Sequence, residues 1–309
     1  MADTDDTLQA PLGDADGMTR EDLIRTAARA HERDRYLSAL LSPAAIRDDL
    51  IALAAFVGDV SRIPIYVSEP MVGEIRLQWW RDTLQGGIAT GASSGNPIAD
   101  AIIAVARRHS LPIGLLEGIV DAQILALYPD PPTDEMELRQ HLGKLHGGAF
   151  ALAARISDPE QARAQTDWIR DAGIAYGIAR TALELPAIRA QSRDRVPATW
   201  RAERAAKPTT DPDARAPAAA DATPADLHAD AGRLADVALQ MFNQLARRQI
   251  RQPVSVRNAC RPLAMVPPYC HAVRKLGRSA GSTRDHEHLT MAADVSPLTR
   301  VWTLWLGRI

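Results

Sequence analysis

Apolar residues in this chain follow a helical period almost from one end to the other. From Arg20 onward, Ala, Leu and Ile recur every three or four residues, and β-branched runs of alternating polarity are scarce. Because a helix face repeats every 3.6 residues and a strand face every two, this pattern predicts an all-α protein. Proline and glycine divide it into about eight helices, with predicted breaks at Ser42-Pro43, Ile63-Pro64, Gly86 to Pro97, Leu111-Pro112, Pro129 to Pro132, Asp158-Pro159, Leu185-Pro186, Val196-Pro197 and Gln252-Pro253.

The domain organisation follows from length and local composition. A helical chain of 309 residues commonly forms one domain, and we predict a helical domain over 20–306 after a disordered segment, 1–19. Residues 202–224 are rich in Ala, Pro, Asp and Thr and hold almost no large apolar side chains, which predicts a mobile linker. Trp302 and Trp305 share a face of the last predicted helix. We expect that face, like Phe150 and Met241, to pack in the core.

Charge and cysteine content exclude several classes of protein. The formal net charge is -2, so the chain as a whole lacks the basic field of a nucleic-acid-binding protein. Cys260 and Cys270 lack metal-ligand or redox-motif spacing and are predicted to be buried thiols in a reducing compartment. No stretch approaches the roughly 18 apolar residues of a membrane span. We therefore predict a cytoplasmic protein; peripheral membrane contact through residues 301–306 is the less favoured alternative to their packing in the core.

Paired carboxylates are the chemistry to look for in a helical protein of this kind. Acids four residues apart stack on one helix face, where they jointly hold Mg²⁺ bound to diphosphate oxygens. Segments 54–59 (AAFVGD), 74–81 (EIRLQWWR), 145–149 (LHGGA) and 173–197 resemble helices of the squalene/phytoene synthase family. The resemblance implies a single-domain isoprenoid-synthase-like bundle around a central apolar cavity. It also implies Mg²⁺-dependent, head-to-head condensation of prenyl diphosphates.

Other residues stand where the resemblance implies aspartates. Ser61, Arg62 and Ile65 occupy those positions in the first motif, and Glu184 and Ile188 occupy them in the second. Glu184 is therefore the one carboxylate present at the implied metal-binding positions. Since a single Glu is a poor site for several metal ions, we predict no metal site and no confident catalytic residue.

Charged residues near these positions are candidates for the cavity or for anion binding. Arg180 precedes Glu184 by four residues, which favours an intrahelical ion pair over a phosphate clamp. By the resemblance, Arg193 precedes a Leu-Pro-like turn and is the better anion-binding candidate, with a structural role equally open. Asp59 lies one turn before Arg62, and we expect these two charges to neutralise each other.

Polar residues alternate along the segment that contains Glu74, Arg76 and Gln78, next to Trp79 and Trp80. Residues two apart cannot share one helix face, so some of these side chains are predicted to face the interior. A buried polar network and a ligand-facing role are equally open.

Two further pairs favour structural interpretations. His141 and His146 have the wrong spacing for metal ligands on adjacent turns, so we expect core or cavity histidines. Glu117 and Asp121 are an acid pair four residues apart, and we expect them on a solvated helix face.

Segment 67–79 (VSEPMVGEIRLQW) is similar to a motif-degenerate branch of the same family, related to the assembly factor of respiratory complex I. The leading hypothesis is a non-catalytic relative that binds a prenyl lipid or a respiratory-complex subunit. One alternative is a divergent prenyltransferase that condenses prenyl diphosphates towards squalene, phytoene or carotenoids. The other is a scaffold with a filled cavity. No cofactor is predicted, except Mg²⁺ under the enzymatic alternative.

Overall fold

The computed structural model describes residues 19–206, 223–249, 251–279 and 295–307, and every regular element in these ranges is helical. A π-helical turn spans Gly143–Gly147 and a 3-10 helix spans Arg261–Met265. The α-helices are α1 (Arg20–His31), α2 (Arg33–Leu40), α3 (Ala44–Tyr66), α4 (Pro70–Thr90), α5 (Pro97–Arg108), α6 (Ile113–Ala126), α7 (Glu135–Leu142), α8 (Gly148–Ser157), α9 (Pro159–Ala164), α10 (Thr166–Ala190), α11 (Ala198–Ala205), α12 (Pro224–Gln249), α13 (Val254–Ala259), α14 (Val266–Ser279) and α15 (Pro297–Leu306).

Helices α3 and α10 form the centre of the bundle. Residues 49–58 of α3 and 172–179 of α10 are buried without interruption, as expected of helices that are apolar on every side. Helix α10 packs against α8, α12, α14 and the π-helical turn. At Gly173, an added Cβ would lie 2.4 Å from the backbone nitrogen of Gly147, so glycine allows these two backbones to cross in contact.

Proline marks some helix boundaries correctly and others not. Pro43, Pro112, Pro159, Pro197 and Pro253 each lie at the start of a helix, as predicted. The predicted breaks at Pro64 and Pro186 are wrong, because α3 and α10 continue through them. Each proline removes one helical hydrogen bond near the end of a long helix, and burial of the surrounding helix outweighs that loss. The described residues contain more helices than the eight predicted.

The predicted disordered segment and most of the predicted linker lie outside the described residues. Thr19 caps α1, since its side chain accepts a hydrogen bond from the backbone N–H of Asp22 and that aspartate bonds back. Ala202 to Ala205, at the start of the predicted linker, are the end of α11.

A buried ionic cluster joins four helices. The carboxylate of Asp34 on α2, 2% exposed, accepts hydrogen bonds from Tyr176 of α10 (2.9 Å), Tyr269 of α14 and Arg300 of α15. Arg300 also donates to the Tyr269 oxygen at 2.7 Å. A buried carboxylate with three donors fixes how these helices sit against one another, because losing any of them strands a polar group.

The prediction for the last helix is half right. Trp302 and Trp305 share a face, with ring centroids 5.4 Å apart, but their side chains are 60% and 58% exposed, so the expected core packing is wrong.

Phe150, Met241, Cys260 and Cys270 are buried as predicted, and burial raises the pKa of both thiols. Among the described residues, no helix is both long and apolar enough to cross a membrane.

We predict that Asp34→Asn destabilises the protein by about 3 to 5 kcal/mol, because it removes the buried charge shared by Arg300, Tyr176 and Tyr269. Urea unfolding measures the effect. The matched control is Asp48→Asn at an exposed ion pair with Arg25, for which we expect about 1 kcal/mol or less. Equal effects of the two substitutions would contradict the structural role given to the cluster.

Candidate functional site

A cavity of about 360 Å³ lies among α1, α3, α6, α7, the π-helical turn and α10. Its volume is in the range of pockets that bind small molecules. All five positions of the degenerate motifs lie in its lining: Ser61, Arg62, Ile65, Glu184 and Ile188. The two motif segments, one on α3 and one on α10, therefore meet at this cavity. Ile65 is also 54% exposed, so the cavity reaches the protein surface beside it.

Arg180 joins the two carboxylates that line the cavity. Its Nε donates to Glu184 at 2.7 Å, which confirms the predicted intrahelical ion pair, and its Nη1 donates to Glu32 at 2.7 Å. Glu32 is 1% exposed and also binds Arg35. Although burial alone raises the pKa of Glu32, the guanidinium groups of Arg180 and Arg35 bring it below its ordinary value. Glu32 is therefore held as a buried carboxylate between two arginines.

These residues do not fit the Mg²⁺ ions that the family resemblance implies. Magnesium bound to diphosphate takes carboxylate oxygens, and both cavity carboxylates already bind Arg180. Ser61 and Ile188 supply no carboxylate, and Arg62 repels a cation. Within the described part of the chain, no group of three or more His, Cys, Asp or Glu residues could hold a metal ion.

The lining carries more positive than negative charge. Arg62, Arg180, Arg193 and Arg195 face two glutamates, an excess of two positive charges when histidines are neutral. The predicted central cavity is thus present, but its lining is more polar than the apolar cavity that was expected. Arg193 lies in this lining, where the sequence placed its better anion-binding candidate.

Three histidines of the lining are neutral. His31 Nε2 lies 2.6 Å from Arg62 Nη1, and His146 Nδ1 lies 3.0 Å from Arg35 Nη2. Arginine only donates, so both ring nitrogens accept and both imidazoles are neutral. Burial, then neighbouring arginines, lower the pKa of His31 and hold that of His146 well below its usual value; the same causes bring the pKa of His141 to about 4. His141 and His146 are cavity histidines, as predicted.

Several polar atoms of the lining have no hydrogen-bond partner among the described residues. They are Nε2 of Gln123, Nε of Arg62 and Nδ1 of His141. Gln123 is 4% exposed, so its amide has little access to bulk water. Buried polar groups are normally hydrogen-bonded, and two of these three atoms are obligate donors. The wall is therefore suited to a ligand with acceptor oxygens.

The structure places the other predicted polar residues away from the cavity. Glu74, Arg76 and Gln78 are exposed on α4 and lie outside the cavity lining, so the buried network is wrong for them. Glu74 accepts from the Tyr128 hydroxyl, and Gln78 donates to Asp82 at 2.8 Å. The reason is that Gly73, Leu77 and Trp80 supply the buried face of α4 instead.

Asp59 and the acid pair on α6 also differ from expectation. Asp59 lies outside the lining, and burial raises its pKa despite the opposing charges of Arg62 and Arg76. The guanidinium of Arg62 contacts His31 and the Tyr66 ring. Its charge still acts on Asp59, but these two contacts fix its position. Glu117 and Asp121 bind Gln85 and Arg81 of α4, so that face contacts a neighbouring helix while it stays partly exposed to solvent.

Sequence reasoning missed Glu32, His31 and Gln123. The available signal for the first two was the run of alternating charges from His31 to Arg35, at a break between two helical segments. Gln123 gave no signal, since a single polar residue on an apolar helix has no distinctive spacing.

The chain matches a known protein family and resembles solved structures in its fold. The family model for squalene/phytoene synthase matches residues 28–283. The crystal structure of a squalene synthase from Alicyclobacillus acidocaldarius is similar with a TM-score of 0.65 at 17% identity, covering 84% of this chain and 94% of that one. A dehydrosqualene synthase in complex with ligand gives a TM-score of 0.67 at 14% identity, covering 93% and 95%. The predicted fold class is confirmed.

Two curated proteins are similar to part of the chain. Complex I assembly factor 6 from Bos taurus is 33% identical over 93 residues, which is 30% of this chain and 28% of the bovine protein. The Homo sapiens protein is 32% identical over the same length. The chain thus spans less than a third of these relatives. The resemblance to the assembly-factor branch is confirmed over that part.

We expect the cavity histidines to make stability depend on pH. The pKa of His141 and of His146 lies below the ordinary 6.5 in the folded protein. As pH falls, these histidines therefore bind protons in the unfolded chain before they do in the folded one, and stability is lost below about pH 6.5. The loss is about 1.4 kcal/mol per histidine per pH unit. Urea unfolding at several pH values should show it.

The substitution His141→Asn should reduce the slope of the unfolding free energy against pH by about 1.4 kcal/mol per pH unit, which is the contribution of one proton. His271→Asn, at an exposed position of α14, controls for the removal of an imidazole. If His141→Asn leaves the slope as steep as that of the unmodified protein, His141 is not held neutral in the folded state.

Proposed function

Because the chain belongs to the squalene/phytoene synthase family, we propose that it uses the family's cavity as a metal-independent binding site for a prenyl lipid with an anionic head, without catalysing condensation. One observation carries the proposal. Where two acid-bearing motifs would face each other, the cavity presents Ser61, Arg62, Ile65 and Ile188, with Glu184 bound to Arg180.

Ionisation of a prenyl diphosphate requires the charge of the leaving group to be neutralised as it develops. Metal ions and cationic side chains normally supply this, at several kcal/mol. Arg180 is already shared between Glu32 and Glu184, which leaves it less free to neutralise a leaving group. This supports binding over turnover.

The lining suits an amphiphile with a negatively charged head. Arg62, Arg193 and Arg195 contribute positive charge to the cavity lining, and Gln123 offers an unpartnered donor. Leu138, Leu142, Leu145 and Ile188 give an apolar wall for a hydrocarbon chain. A prenyl phosphate or diphosphate satisfies both parts at once.

We propose further that the protein assists the assembly of respiratory complex I. The support is its similarity, over 93 residues, to proteins named as complex I assembly factor 6. Cells that lack the protein should contain less assembled complex I on native gels and show lower NADH oxidation by their membranes. Restoration by the intact gene is the control. Unchanged amounts of complex I would contradict this role.

We expect farnesyl and geranylgeranyl diphosphate to bind equally well in EDTA and in Mg²⁺, because arginines replace the metal. Titration calorimetry measures the affinity. Arg193→Gln should weaken binding by about tenfold or more through loss of a charge-assisted contact. Arg274→Gln, at an exposed ion pair with Asp236 on α14, is the matched control and should leave the affinity unchanged.

Extraction of hydrocarbons from the same samples tests the absence of catalysis. No product is expected with or without Mg²⁺. A Mg²⁺-dependent product would instead establish the divergent prenyltransferase, and failure to bind either diphosphate would favour a scaffold.

A further inference from the structure

Helix α15 exposes apolar side chains and buries its charged one, which is the reverse of an ordinary surface helix. Its exposed side chains are apolar: Leu298 is 83% exposed, Val301 49%, Trp302 60%, Trp305 58% and Leu306 39%. They recur at the three- and four-residue spacing of one helix face. Arg300, its one charged residue, is buried and bound to Asp34. We call these five residues the α15 stripe.

The α15 stripe is presented by a rigid support. Ser296 caps the start of the helix by accepting from the backbone N–H of Thr299, and Gly307 ends it with φ +55°. Arg261 Nη1 donates to the Leu304 carbonyl at 3.0 Å, and Arg300 is fixed by the buried cluster around Asp34. Arg300 and Leu304, the buried residues of α15, hold the opposite face of the helix on the protein, and the stripe is therefore exposed in the folded chain.

The charge around the stripe is one-sided. Helix α15 packs on the 3-10 helix and on α2. These three elements contain one acid, Asp34, which is buried, and they carry basic residues at Arg33 and Arg261. More widely, residues 237–309 of the sequence contain eleven Arg or Lys and three Asp or Glu. The net charge of -2 for the whole chain conceals a basic C-terminal part.

Apolar exposure and one-sided charge together identify the chemistry of the partner. Tryptophan and leucine on one face of a helix insert at the boundary between lipid headgroups and acyl chains. A part of the chain that carries more basic than acidic residues is attracted to anionic headgroups. A scattered apolar residue needs no partner, but a five-residue stripe on one helix marks an interaction surface. Helix α2 ends in two more exposed apolar residues, Leu40 and Leu41, at 37% and 38%.

We propose that α15 docks the protein on the surface of an anionic phospholipid bilayer, with the α15 stripe buried among the headgroups and the basic C-terminal part against them. The helix lies along the membrane plane, because Arg300 and Leu304 hold its other face on the protein. This inference does not depend on what the cavity binds.

Flotation of the full chain with vesicles tests the proposal. We expect binding to phosphatidylcholine vesicles that contain about 30 mol% phosphatidylglycerol, and weaker binding at high salt or to phosphatidylcholine alone. The double substitution Trp302→Ser, Trp305→Ser should lower the partition coefficient by at least about tenfold. The matched control is Trp79→Ser, a 37% exposed tryptophan of α4, which should bind as the unmodified protein does.

A second measurement keeps the proposal testable if the double variant folds poorly. In the unmodified protein, lipids brominated near the headgroup should quench tryptophan fluorescence, and quenching should persist in Trp79→Ser. Absence of flotation and quenching overturns the proposal, as does an equal loss of binding in Trp79→Ser. A dimer in light scattering that the double substitution dissociates, without vesicle binding, also overturns it and assigns the stripe to a second copy of the chain.

Discussion

The cavity depends on Arg180, which bridges two carboxylates, those of Glu32 and Glu184. Its guanidinium holds Glu32, at the junction of α1 and α2, against α10 and at the same time binds Glu184 one turn along its own helix. A buried carboxylate is tolerable only when it is paired and hydrogen-bonded, so Arg180 and Arg35 together make Glu32 possible. The same bonds occupy both cavity carboxylates.

This arrangement separates the shape of the cavity from the chemistry that the family fold implies. The bundle, the glycine contact between the π-helical turn and α10, and the facing motif segments are all present. The charge of the wall is what differs, since Arg62 stands where a carboxylate would hold a cation. A wall of arginines attracts an anion directly, whereas a wall of aspartates attracts one only through metal ions.

The segment from His31 to Arg35 connects the cavity with helix α15. Glu32 faces the cavity through Arg180, while Asp34, two residues later, binds Tyr176, Tyr269 and Arg300. Helix α15 is thus anchored to the short stretch of chain that also shapes the cavity. The cavity and the proposed membrane-docking helix are both held by buried ion pairs of this segment, which favours a fixed geometry between them.

Periodicity and composition were sufficient for the all-α class, and residue-by-residue resemblance was sufficient for the position of the cavity. Both rest on local spacing, which the chain carries in its order of residues. Spacing tells which side chains share a helix face, but not which face another helix covers. For that reason the inward role of Glu74 and Gln78, the core packing of Trp302 and Trp305, and the breaks at Pro64 and Pro186 were predicted wrongly. Only the tertiary structure decided that Leu77 and Trp80 turn α4 inward, that Asp34 draws Arg300 of α15 into the interior, and that Glu32 meets Arg180, because each depends on contacts between residues distant in sequence.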